Sequence, residues 1–178
     1  MTCPALDTSL KDARQRFELH FITPSACTKA FLPLLVRGHN LVVVNNSSIA
    51  GEKTLPFQAV YGASKSANAT FAETLRLEGE PLGIRVVTVI TGIIETNLHK
   101  NGKEQELPEE GFYSPLNQWL RERTGGTNRP PGMPVDQDIF MVKAGPKNQN
   151  EVIANEHGRK MQSRDWEYHT RNEHRAIL

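Results

Sequence analysis

No charge of one sign dominates this chain. Lys and Arg number 21 against 20 Asp and Glu, a formal net charge of +1, and no block of like charges forms a tail. The electrostatic footprint of a nucleic-acid binder is therefore missing. Cysteine is scarce as well. Cys3 and Cys27 are the only two, their placement fits no metal or redox motif, and a reducing, cytoplasmic setting follows. The apolar run AFLPLLV is far short of the roughly 20 residues a membrane span needs and carries a proline. The first twenty residues mix both charges and lack a signal-peptide core. No internal repeat is visible. His157, His169 and His174 have no cysteine or clustered carboxylate beside them, so no metal site is expected.

What is present is period. From Asp7, apolar Leu10, Ala13, Phe17 and Phe21 recur at steps of three and four, with Asp7 or Thr8 as candidate cap and Pro24 as the expected break. A second helical stretch, SACTKAFLPLL, runs to Gly38. Then Leu41 to Val44 forms an unbroken, mostly β-branched run, which predicts a strand buried on both faces. A helix is expected over about 58–80, stopped by Pro81 and Gly83, before a second apolar strand, IRVVTVI. Two buried strands joined by a helix make a βαβ unit with parallel pairing, hence an α/β fold. Past Asn97 one short amphipathic stretch is expected between Tyr113 and Arg123, followed by a Gly/Pro-rich loop. The division is 1–132 as a partial α/β domain and 133–178 as a weakly ordered polar tail.

The chemistry lies in SSIAGEKTLPFQAVYGASKSA. Tyr61 and Lys65 stand at i and i+4 on one helix face, within mutual reach. A free phenol titrates near 10, and an ammonium beside one favours phenolate, making it a usable acid or base near neutral pH. Ser48 follows the first strand, at the carboxyl edge where parallel sheets place their ligands. A serine there can donate to a carbonyl oxygen beside the tyrosine.

The set NNSSIAG, Tyr61-Gly-Ala-Ser-Lys65, and a strand ending VITGIIET resembles the second half of a short-chain dehydrogenase/reductase. Within that family it is most similar to the fungal NADP(H)-preferring carbonyl reductases. The likeness covers about residues 6–97 and implies an incomplete, Rossmann-like, doubly wound parallel sheet. It implies hydride transfer between NADP(H) and a carbonyl or alcohol substrate, with Ser48 orienting the substrate and Tyr61 as proton donor or acceptor. Lys65 would lower the phenol's proton affinity and bind the nicotinamide ribose. Thr91-Gly92 stands where the family has Pro-Gly, and Ile94 and Thr96 match positions that contact the nicotinamide carboxamide. Lys29 matches a basic residue sometimes placed near the cofactor.

The sequence also departs from the family. It contains no TGxxxGxG turn for the pyrophosphate, and TGGTNRPPG follows no strand and precedes no helix. Strands one to four of the family's sheet have no counterpart, which implies an N-terminally truncated member. His20 occupies the place of a customary asparagine, either as a proton relay or as a tolerated substitution on a half-buried helix. Half a sheet leaves strand edges and helix faces uncovered, so a homo-oligomer, or pairing with a related subunit, is expected. The alternative to an enzyme is a non-catalytic remnant serving as an oligomerisation partner.

Overall fold

The computed structural model describes residues 2–38, 41–97, 107–125, 132, 140–143 and 150–153. Helix α1 spans Leu10–Phe17 and α2 spans Thr23–Arg37, joined by a π-helical turn, Glu18–Ile22. The cap of α1 is Ser9, not Asp7 or Thr8: its Oγ accepts from the Asp12 N–H at 3.1 Å. Thr8 instead donates to the Pro4 carbonyl, and Asp7 keeps a buried carboxylate oxygen without a partner. The break expected at Pro24 takes the form of the π turn immediately before it. Pro24 falls in the first turn of α2, which continues from the π turn without leaving helical backbone, so its missing N–H removes one donor from the helix at that junction.

Strand β1, Val42–Ser48, leads directly into the short helix α3, Ile49–Glu52. Helix α4 spans Ala59–Gly79, within a residue of the sequence expectation at each end. A 3₁₀ turn then brings in Gly83 at φ 72. There Gly83 N–H bonds to Glu80 O and Ile84 N–H to Gly79 O, satisfying two of the helix's last carbonyls. Strand β2, Arg85–Thr91, pairs in parallel with β1, with Ser48 opposite Thr91 at the carboxyl end. This is the expected βαβ unit. Helix α5, Asn117–Gly125, follows a 3₁₀ turn over Ser114–Leu116.

Two further strands come from the stretch read as a weakly ordered polar tail. Strand β3, Phe140–Lys143, pairs antiparallel with β2, and β4, Asn150–Ile153, pairs antiparallel with β3. The sheet is therefore mixed, in the order β1-β2-β3-β4. The rest of that stretch, with His157, His169 and His174, lies outside the described residues, as does the segment 98–106.

The core forms where α4 crosses the parallel pair. Ala72, Ile84 and Val86 are buried, with Leu35, Val43 and Leu75 packed around them. The other face of β1 is not covered among the described residues. Val42 and Val44 are 41% and 62% exposed, so the expectation of a strand buried on both faces is corrected. A β-branched run encodes a strand that can be buried twice; whether it is depends on a second layer.

The stretch Leu10–Arg37 is 28 residues long, and its most apolar window has a mean hydropathy of 1.3. By length and composition it could cross a bilayer, although the run AFLPLLV alone is too short. None of that window is buried, although the rings of Phe21 and Phe71 meet edge to face between this stretch and α4.

Candidate active site

Ser48 ends β1 and caps α3, its Oγ accepting from the Ala50 N–H at 3.3 Å. That contact uses a lone pair and leaves the hydroxyl hydrogen for another acceptor. Helix α3 lies close against α4, at a distance only glycine permits at Gly62 and with a tight fit at Gly51. A Cβ on Gly62 would sit 2.7 Å from the Ala50 carbonyl oxygen, and one on Gly51 would sit 3.0 Å from the Lys65 carbonyl carbon. Ser66 Oγ donates to the Gly51 carbonyl across the same seam. The two glycines thus bring the end of β1 against the Tyr61–Lys65 turn.

Lys65 Nζ donates to the Asn46 carbonyl at 3.1 Å, two residues before Ser48. Ser47 Oγ donates to the Lys65 carbonyl. Asn46 is tied in turn to β2, its Oδ1 accepting from Thr91 Oγ1 at 2.7 Å. Burial pushes the Lys65 ammonium below its ordinary range. Lys65 is therefore held at the carboxyl end of β1, which Ser48 terminates, and Tyr61 precedes it by one turn of α4.

His20 adds a fourth group. Its ring lies perpendicular to that of Tyr61, with centroids 5.4 Å apart, and its Nδ1 is 2.9 Å from Ser64 Oγ. Burial first, then the charges of Lys65, Arg16 and the amino terminus, lower its pKa to about 4. A neutral imidazole results at physiological pH.

The remaining candidates lie further out. Ile94 and Thr96 follow β2, half-buried and exposed respectively, and the Ile94–Glu95 backbone is approached by Gly132 so closely that a Cβ would clash. Lys29 is exposed on α2, nine residues past His20, or about 13 Å along a helix axis. No contact joins it to that strand end among the described residues. Sequence reasoning gave no role to Asn46 or Gly51 and took Gly62 and Ser64 only as small residues of the motif. Small residues flanking Tyr61 were the available signal, since close helix approach requires them.

A model of the short chain dehydrogenase family matches residues 1–107. The chain belongs to the short-chain dehydrogenase family. It is 39% identical over 115 residues to the short-chain dehydrogenase cctT of Talaromyces islandicus, covering 64% of this chain and 40% of that protein. It spans less than half the length of the curated relatives it matches. Among solved structures, a short-chain dehydrogenase from Streptomyces avermitilis superposes with a TM-score of 0.57 at 30% identity, covering 68% of this chain and 44% of that one. ElxO with NADP bound gives a TM-score of 0.51 at 24% identity, covering 53% and 39%, a likeness of fold alone. These matches place the chain's α/β unit as an incomplete Rossmann-like sheet.

The described residues can be compared with what a nicotinamide cofactor needs. Lys65 spends one of its three ammonium hydrogens on Asn46 and has two left for a ribose hydroxyl pair. The turn after β2, residues 92–97, is half-buried to exposed. The nicotinamide–ribose half therefore fits. No glycine-rich turn for the pyrophosphate half exists in the sequence.

Proposed function

We propose that this chain carries the acid–base half of an oxidoreductase acting between NADP(H) and a carbonyl or alcohol substrate. The observation that supports this best is the Lys65–Asn46 bond, which holds an ammonium, one helical turn from Tyr61 on α4, at the strand end that also carries Ser48. In this reading Ser48 donates its free hydroxyl hydrogen to the substrate oxygen. Tyr61 gives its phenolic proton to the same oxygen in reduction and takes it back in oxidation. Lys65 holds the nicotinamide ribose, with Ile94, Thr96 and Lys29 as further cofactor contacts. A bound NADP(H) supplies or accepts the hydride.

The reading also assigns a cytoplasmic setting, in keeping with the two free thiols. A homo-oligomer belongs to it as well. Phe31 and Leu34 on α2 are 58% and 60% exposed, a load of apolar surface that pairing would remove from water. The same surface supports the second reading, a non-catalytic subunit that pairs with a longer relative.

The test is a titration of the 178-residue protein with NADPH, followed by cofactor fluorescence. Saturable binding that Lys65→Ala weakens and Tyr61→Phe preserves, with turnover lost in Tyr61→Phe, supports the enzyme. Absence of binding up to roughly millimolar NADPH, the weak end of cofactor affinities, overturns it in favour of the pairing subunit.

A further inference from the structure

Ser64 is fully buried on α4 and has a single hydroxyl hydrogen. Its Oγ lies 2.8 Å from the Tyr61 carbonyl and 2.9 Å from His20 Nδ1. The carbonyl can only accept, so the hydroxyl hydrogen goes there. The oxygen then accepts from His20, and Nδ1 must carry the ring's hydrogen. A directed chain results: His20 Nδ1–H to Ser64 Oγ–H to the Tyr61 carbonyl. The same imidazole stands perpendicular to the Tyr61 ring. Tyr61 is thus engaged twice, at its backbone through Ser64 and at its ring through His20.

The backbone at His20 is itself unusual. It lies in the middle of the five-residue π turn between α1 and α2. Such turns interrupt otherwise regular helices and concentrate at functional positions, because the inserted residue re-aims the side chains around it. Here the re-aimed side chain reaches a residue 44 positions away.

We propose that His20 is a positioning residue for Tyr61: anchored through Nδ1–H on Ser64, it fixes the phenol's ring plane. This rests on the reading of Tyr61 as the acid–base group. The cations that bear on the imidazole are Lys65 from α4, Arg16 from α1 and the chain's amino terminus, and among the described residues no carboxylate offsets them. Those cations and burial keep the ring neutral.

Two measurements test it. In ¹⁵N-histidine NMR spectra of the full chain, His20 should be the Nδ1–H tautomer at neutral pH, and Ser64→Ala should change that tautomer. Kinetically, His20→Phe keeps a ring but no donor. It should lower kcat roughly ten- to a hundredfold at unchanged KM, the cost of a misplaced catalytic group. His20→Asn, whose amide can still donate to Ser64, should recover most of the loss. An Nε2–H tautomer, or a His20→Phe variant as fast as wild type, overturns the proposal. If the wild-type chain does not turn over NADPH, the acid–base reading fails by itself, and the tautomer with its dependence on Ser64 still decides the positioning contact.

Discussion

Gly62→Ala isolates the seam that brings Ser48 to Tyr61. In an exposed helix interior this change stabilises by about 1 kcal/mol, because alanine loses less backbone entropy. Here the new Cβ would sit 2.7 Å from the Ala50 carbonyl oxygen. A comfortable C···O separation is about 3.3 Å, so α3 and α4 must part by roughly 0.6 Å. Overpacking of this kind costs about 1–3 kcal/mol. The cost exceeds the propensity gain, leaving a net destabilisation of about 0–2 kcal/mol. For a domain of this size that lowers the melting temperature by up to roughly 10 °C.

The displacement matters more for chemistry than for stability. Ser48 is the cap of the very helix that must move, so it retreats from Tyr61 with Ala50. Misplacement by 1 Å costs about a hundredfold in rate, and roughly half that distance about tenfold. The assay pairs circular-dichroism melting with NADPH-dependent turnover, using Gly125→Ala as control, since a Cβ there meets open space. A Gly62→Ala chain that gains stability as the control does, at unchanged turnover, refutes the account of the seam.

Three further outcomes follow from single residues. His20 has a folded pKa of about 4 against 6.5 when free, so the unfolded chain binds more protons between those values. Its contribution to stability is therefore intact above about pH 6.5 and lost as pH falls towards about 4. Acid melting curves should show wild type losing more than His20→Asn over that window; parallel curves would refute this. Gly83→Ala places a side chain at φ 72 and should cost about 1 kcal/mol, read as a lower urea midpoint. Asn68 is 3% exposed and its Oδ1 has no hydrogen-bond partner. Replacing it by Leu, of similar size, should stabilise by about 1–2 kcal/mol, and a lower midpoint would mean that the amide has a partner after all.

The parts of the site visible in the sequence are those fixed locally. Tyr61 and Lys65 share a face because α4 is one uninterrupted helix, and Ser48 is found because a strand ends and a small-residue turn begins. What the sequence hid depends on distant chain. His20 meets Ser64 across 44 residues, and a π turn has no local residue signature. Phe57 adopts φ 61, a conformation no phenylalanine advertises. It is held there by the Cys3 N–H on its carbonyl and by Trp119 and Tyr113 against its ring. The strands FMVK and NEVI were missed because four residues carry too little period to separate from loop.

The buried residues and the exposed ones are divided by the sheet. Ser64, Asn68, Ala72, Val86, Thr88 and Ile90, all buried, lie on α4 and on the β2 strand it covers. Ser48 ends β1 at the parity of Val42 and Val44, and it is Ser47 that meets the Lys65 carbonyl on that packed side. Val42 and Val44 face away from it, and Phe31 and Leu34 lie out on α2. Geometry at this strand end is accordingly set by contacts the chain makes with itself, through Gly62, Ser64 and Asn46. Removing the exposed apolar surface from water is a separate matter, worth about 25 cal/mol for each Å² covered. Assembly can therefore raise the chain's stability without supplying the acid–base residues.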